Sequence, residues 1–279
     1  MALLTGAAKV AGIMGWPVSH SRSPAIHGHW LARYGIDGAY IPYSVRPEHG
    51  YDAIRMLPRL GFSGTNVTLP HKETALRAVD ETDPVARRIG AVNTVVARED
   101  GSLHGSNTDA YGFLEHLRAS APDWRPGVAV VLGAGGSARA VAAALVDAGA
   151  SEVRLANRTA ARAEKVMEEI GGPMTTVAWE ERDAALDGAG LLVNTTSLGM
   201  AGSPPLEIAL DALPEGAVVN DIVYVPLETP LLAAARRRGL AAVDGLGMLL
   251  HQARPGFAAW FGTDPEVDEA LRESVLAVL

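Results

Sequence analysis

Cysteine is absent from the 279-residue chain, which excludes disulfides, thiolate nucleophiles and cysteine-ligated metal centres. Basic clusters are nearly absent as well. The net charge is −8 and the longest basic run is Arg236-Arg237-Arg238, so the charge pattern offers no footprint for nucleic acid. No apolar run approaches the roughly 18 residues that would signal a membrane span. Near the start, Lys9 and Gly12 interrupt what would have to be the apolar stretch of a signal peptide. A cytoplasmic protein is therefore expected. There is no repeat with a period of roughly 20–50 residues and no low-complexity linker. Lysine is scarce: of 24 basic residues only Lys9, Lys72 and Lys165 are lysines. A guanidinium does not release its proton, so a chain that otherwise uses arginine keeps lysine to advantage where a proton must leave.

What is present reads as a globular α/β protein. Hydrophobic residues make up 48% and charged residues 20% of the chain, and the length suggests two domains. The most informative stretch is Val128-Ala129-Val130-Val131-Leu132-Gly133-Ala134-Gly135-Gly136-Ser137-Ala138-Arg139, followed by an alanine-rich run. A β-branched apolar run, a glycine turn and a small apolar segment read as buried strand, turn and helix. In that context the G-x-G-x-x-A match indicates a dinucleotide site. Backbone N–H groups at the helix start approach a pyrophosphate with no side chain in the way.

The glycine turn lies mid-chain, so a separate unit precedes it. Strands are expected over 10–15, 39–45 and 61–67, with helices over 23–34 and 48–57 between them. The strand ends carry polar residues. Ser19, His20, Ser21 and Ser23 cluster before a helix, where hydroxyls can bind a small carboxylate, although Ser23-Pro24 alone reads as an N-cap and N1 pair. Asn66 and Thr68 share one face of a strand, and Lys72 opens the next helix against its dipole, as a candidate general acid/base. Residues 90–108 read as a hairpin in which Asn93 interrupts an apolar strand and needs partners or a ligand. Asn107, Thr108 and Asp109 read as a capping cluster or, if Asp109 lies near Lys72, as the source of an orienting carboxylate.

Beyond the glycine turn, a strand over 152–156 ends in Asn157-Arg158-Thr159, with Arg162 one turn into the next helix. An NAD-type site places an acid there for the ribose 2′-hydroxyl. Its replacement by Asn157 beside two guanidiniums favours a 2′-phosphate, and so NADP. Further strands are expected over 190–194, 217–221 and 240–243, and a helix over 230–238. Residues 244–260 form another helix. Asp264 is read as the N-cap of a last one, with Val267, Leu271, Ser274 or Val275, and Val278 on its apolar face. These two helices exceed what the dinucleotide half needs and are expected to pack on the N-terminal domain. Gln252 would then face a cleft between the domains.

Taken together, the segments resemble the shikimate dehydrogenase family over nearly their full length. The likeness is carried in order by Gly-Trp-Pro-Val-Ser-His-Ser-Arg-Ser-Pro from Gly15, Asn-Val-Thr-Leu-Pro-His-Lys from Asn66, Ala-Val-Asn-Thr from Ala91 and Gly-Ser-Asn-Thr-Asp from Gly105. It continues with Gly-Ala-Gly-Gly-Ser-Ala-Arg from Gly133, Asn-Arg-Thr from Asn157, Asp-Ile-Val-Tyr-Val-Pro from Asp221 and Asp-Gly-Leu-Gly-Met-Leu-Leu-His-Gln from Asp244. Any one is weak; the ordered set is specific.

The resemblance implies two α/β domains: a substrate domain over 1–108 completed by 246–279, and a Rossmann NADP-binding domain over 109–245, with the active site in the cleft between them. It implies NADPH-dependent, reversible reduction of 3-dehydroshikimate to shikimate on the way to chorismate and the aromatic amino acids. Lys72 would be the acid/base beside Asp109. Ser21 and Ser23 would hold the substrate carboxylate, and Thr68, Asn93, Asp109 and Gln252 the ring hydroxyls, with Tyr224 lining the pocket. Gly133, Ala134, Gly135, Gly136 and Ser137 would hold the pyrophosphate. Asn157, Arg158, Thr159 and Arg162 would take the 2′-phosphate, and Ile222, Gly245 and Met248 would surround the nicotinamide. No metal is implied, and the family includes monomers and homodimers. The alternatives are a dual quinate/shikimate dehydrogenase and a non-catalytic NADP-sensing module, which would have no use for Lys72, Asp109 and the paired serines.

Overall fold

Short apolar runs alternating with longer helical segments produce, in the computed structural model of residues 4–279, two α/β units. One reaches to Thr108 and resumes over Leu250–Leu279; the other is Asp109–Leu249. The first contains β1 (Lys9–Gly15), α1 (Ser23–Arg33), β2 (Gly38–Ser44), α2 (Gly50–Met56), β3 (Phe62–Val67) and α3 (Lys72–Ala78). It continues with β4 (Glu81–Thr82), α4 (Pro84–Ile89), β5 (Thr94–Ala97) and β6 (Leu103–Ser106). The sheet order is β2-β1-β3-β5-β6-β4. Strand β1 runs parallel to β2 and β3, whereas β5 runs against both β3 and β6. Thr94 at the start of β5 therefore stands opposite Asn66 near the end of β3 and opposite Ser106 at the end of β6. The ends of β1, β3 and β6 and the start of β5 meet at one end of the sheet. That end carries most of the polar residues singled out above.

The core of this unit joins Met14, Ile54, Leu57, Val67, Val92, Val95 and Leu103 on one side. Elsewhere in the unit Trp30, Phe257 and Trp260 are buried around His27. The Trp260 indole donates to the Val95 carbonyl at 3.0 Å. His27 stacks on Tyr40 at 3.9 Å, and neither ring nitrogen has a hydrogen-bond partner of normal geometry. Burial lowers its pKa to about 3, against a smaller opposing effect from Asn66. The folded protein thus binds a proton at His27 less readily than the unfolded chain does. Its contribution to stability is full above pH 6.5 and is lost as pH falls toward 3. The slope approaches about 1.4 kcal/mol per pH unit inside that window. Replacing His27 with Phe should flatten the acid limb of stability measured by denaturant unfolding between pH 6 and 4. An unchanged slope would show that other groups set it.

The second unit contains α5 (Asp109–Ser120), β7 (Val128–Leu132), α6 (Gly136–Asp147), β8 (Glu152–Asn157), α7 (Ala160–Ile170) and β9 (Met174–Ala178). It continues with β10 (Leu191–Asn194), β11 (Val218–Asp221), α8 (Pro230–Arg237) and β12 (Ala241–Val243). All six strands pair in parallel in the order β12-β11-β10-β7-β8-β9. The order reverses between β7 and β10, which is the switch point of a Rossmann sheet and the place where such sheets bind ligands. Helix α6 is buried on most sides through Ala138, Ala140–Leu145, because α5, α7 and the sheet all touch it. Strand β9 lies at the sheet edge and exposes Thr175 and Thr176, so it lacked an apolar signature in the sequence.

Helices α9 (Leu246–Phe261) and α10 (Glu269–Leu276) complete the chain. The expected start of the last helix at Asp264 is incorrect. Asp268 is the N-cap, its carboxylate accepting from the Leu271 N–H at 3.0 Å. Asp264 instead pairs with Arg254 at 2.5 Å. Between the two, Glu266 offers its carbonyl to the Trp30 indole and its N–H to the Tyr34 hydroxyl, so the segment is tied to α1 outside any helix. Leu271 and Val275 face inward as expected, whereas Val278 is exposed. No described helix is long and apolar enough to cross a membrane.

Candidate active site

Residues 16–22 follow β1 and deliver Ser21 and Ser23 to α1. Ser23 is not the helix cap: it is already the first helical residue, Arg22 occupies the N-cap position, and no side chain caps the helix. The Ser21 hydroxyl instead accepts the Ser23 N–H at 3.3 Å. Ser23 is buried. Neither serine occupies the N-cap position of α1.

Thr68 lies just past β3, half-buried, with its N–H donating to Met14 at the end of β1 at 2.9 Å. Gly15 permits that approach, because a Cβ there would collide with the Thr68 methyl. Lys72 is the first residue of α3 and is half-buried. Its carbonyl accepts the Val92 N–H at 3.0 Å, which ties it to the approach to β5. Asn93 does not interrupt a strand; it immediately precedes β5. Its backbone still bridges the sheet, accepting from Val67 N at 2.8 Å and donating to Ser106 O at 3.0 Å. Its side chain is buried, and the carboxamide oxygen accepts from Thr108 N at 2.9 Å. Asp109 follows as the half-buried first residue of α5. Gln252 is buried on α9. Ser21, Ser23, Thr68, Lys72 and Asn93 thus gather at one end of the first sheet.

In the second unit Gly133 follows β7 with φ +107°, a conformation that favours glycine. A Cβ there would also lie 2.8 Å from the Thr195 hydroxyl. At Gly135 and Gly136 an added Cβ would meet nothing within 4 Å, so these two residues leave open space in front of α6. Helix α6 has no side-chain N-cap, and Ala134 and Ser137 flank the opening half-buried. That is the space and the donor set a pyrophosphate requires. At the end of β8, the Asn157 amide donates to the Thr159 carbonyl at 2.8 Å and shapes the turn. Arg158 and Arg162 are exposed, outside the pairing of Arg139 and Lys165 with Glu169. Ile222 and Gly245 are brought together, since a Cβ on Gly245 would collide with the Ile222 carbonyl. Met248 is buried in the first turn of α9, and Tyr224 is half-buried in the loop after β11.

Sequence reasoning passed over two polar networks. One links Tyr40, Asn66, Thr94 and Thr108 to Asn93. The other holds the loops after β10 and β11. Asn194 donates to Asp221 at 3.0 Å and accepts from Thr196, while Asp221 also accepts from Thr229 at 2.7 Å and from Val223 N. Burial raises the Asp221 pKa against the pull of those hydrogen bonds. The available signal was a buried Asn or Asp at the end of an otherwise apolar strand, which requires partners.

Comparison with known proteins adds a third line. Residues 13–95 match the shikimate dehydrogenase substrate binding domain, and residues 116–200 match the shikimate / quinate 5-dehydrogenase family. The shikimate dehydrogenase (NADP(+)) of Paramagnetospirillum magneticum is 61% identical over 98% of this chain and 100% of its own length. Among solved structures, the shikimate 5-dehydrogenase of Thermus thermophilus, in complex with NADP(H) and shikimate, is similar with a TM-score of 0.86 and 39% identity, over 97% of this chain and 100% of that one. The quinate dehydrogenase of Corynebacterium glutamicum, in complex with NAD, is similar with a TM-score of 0.90 and 31% identity, over 97% and 99%.

Proposed function

The chain belongs to the shikimate dehydrogenase family, and from that premise we propose how its own residues carry out the reversible NADPH-dependent reduction of 3-dehydroshikimate to shikimate. The reading is supported chiefly by the gathering of two serines, Thr68, Lys72 and a buried, oriented Asn93 at one sheet end. Ser21 and Ser23 hold the carboxylate with hydroxyl donors that no helix cap engages. Thr68, Asn93, Asp109 and Gln252 hold ring hydroxyls, and Tyr224 lines the pocket.

When bound, NADPH supplies the hydride. The residues that fit it are Gly133 to Ser137 at the pyrophosphate, with Ile222, Gly245 and Met248 toward the nicotinamide. Asn157, Arg158, Thr159 and Arg162 take the 2′-phosphate, where an acid would repel it. Lys72 enters reduction as an ammonium: Nζ donates to the carbonyl oxygen, stabilises the negative charge that develops there and transfers its proton. In oxidation the neutral amine takes the proton of the same hydroxyl. Asp109 assists as the carboxylate that orients this group and a substrate hydroxyl.

A second reading, use of quinate as well, is favoured by the likeness to the quinate dehydrogenase. The test is initial rates at 340 nm for shikimate and for quinate, each with NADP and with NAD. Shikimate with NADP should dominate all other pairs. Comparable quinate turnover would establish dual use, and no turnover of shikimate would defeat the reading.

A further inference from the structure

The amide of Asn93 has a polarity that two backbone groups determine. The Thr108 N–H is an obligate donor and lies 2.9 Å from one terminal atom of the Asn93 side chain, which must therefore be the oxygen. The Asn93 carbonyl is an obligate acceptor and lies 3.2 Å from one terminal atom of Asn66, which must therefore be the amide nitrogen. Everything between them follows. Asn66 Nδ2 donates to Thr94 Oγ1 at 3.0 Å, so the Thr94 hydroxyl proton goes onward, to Asn93 Oδ1 at 3.0 Å or to the Thr108 hydroxyl at 3.3 Å, and either route ends on Asn93 Oδ1. The Thr108 hydroxyl lies 3.2 Å from the same oxygen. On the far side, Asn66 Oδ1 accepts from the Tyr40 phenol at 2.6 Å. Burial holds the phenol pKa well above its usual range, which keeps Tyr40 a donor. All five residues from Tyr40 to Thr108 are buried.

We propose that Tyr40, Asn66 and Thr94 form a one-way hydrogen-bond chain that positions Asn93, locking its NH2 as the group offered to substrate, so that Asn93 meets a substrate oxygen only as a donor. The chain runs from Tyr40, stacked on His27, to the residue assigned to a ring hydroxyl. The inference rests on the reading that Asn93 contacts substrate. Tyr40, Asn66 and Thr94 act through Asn93 and touch no reacting atom.

A double-mutant cycle on Thr94 and Asn93, read in steady-state oxidation of shikimate by NADP, tests it. Thr94→Val keeps the shape and removes the hydroxyl. It should raise KM for shikimate about fivefold to tenfold and leave KM for NADP unchanged, while Thr94→Ser restores the wild-type value. In an Asn93→Ala background, Thr94→Val should have no further effect. Tyr40→Phe, which keeps the stack on His27, provides the same cycle from the far end if Thr94→Val does not fold. A loss that multiplies fully with Asn93→Ala, or equal changes in both KM values, would overturn the positioning role in favour of a general structural one. Unchanged kinetics in Thr94→Val and Tyr40→Phe would do so as well. Full activity in Asn93→Ala would instead remove the substrate contact itself, and the inference with it.

Discussion

Lys72→Ala should lose about a thousandfold in kcat, within the range of about 10²–10⁴ that a positioned acid/base supplies, while shikimate and NADP still bind. The fold should not suffer. Lys72 opens α3 with its positive charge against the helix dipole, so its side chain does not support the helix start. An unchanged melting temperature beside a collapsed kcat would therefore assign the loss to chemistry. Lys72→Arg sharpens the point. It keeps the charge that stabilises an alkoxide but cannot act as a base, so shikimate oxidation should remain severely impaired. Near-normal turnover in either variant would remove Lys72 from proton transfer.

The second large effect concerns the cofactor. Arg158→Ala should raise KM for NADP by about tenfold to a hundredfold, the cost of losing charge-assisted hydrogen bonds to a phosphate, and should change KM for NAD by less than about twofold. The selectivity follows from position. Arg158 lies at the end of β8, where a Rossmann sheet reads the adenosine ribose, and it is exposed. The neighbouring Asn157 amide is engaged with the Thr159 carbonyl, so the turn keeps its shape when the guanidinium is removed. Equal effects on both cofactors would mean that Arg158 supports the turn and does not read the 2′-phosphate.

Much of this was legible in the sequence because the relevant physics is local. An apolar β-branched run followed by glycines and alanines can hardly be anything but β7, a tight turn and α6. The missing acid at Asn157 is likewise a one-residue observation. What escaped was set by distant partners. Asp264 carries the stronger local signal for a helix start because a proline follows it, yet Arg254 takes its carboxylate and α1 ties down the following segment through Glu266, leaving Asp268 as the cap. Ser23 looked like a cap until the helix began on it. The amide polarity of Asn93 depends on Thr94 beside it, Thr108 beyond a hairpin and Asn66 on another strand, and no pattern within a short window encodes that. Edge strand β9 and the two-residue β4 are too short or too exposed to leave a periodic trace.

Lys72 is expected to exchange the proton at the reacting oxygen while a donor-only Asn93 holds the same substrate. A crystal structure of this protein with shikimate and NADP bound measures that most directly. Lys72 Nζ should lie within about 3.2 Å of the hydroxyl at the carbon that loses hydride, with Asn93 Nδ2 on a ring hydroxyl and its oxygen still on Thr108. A reacting hydroxyl met by some other titratable group, with Lys72 turned away from it, would remove Lys72 from the proton transfer.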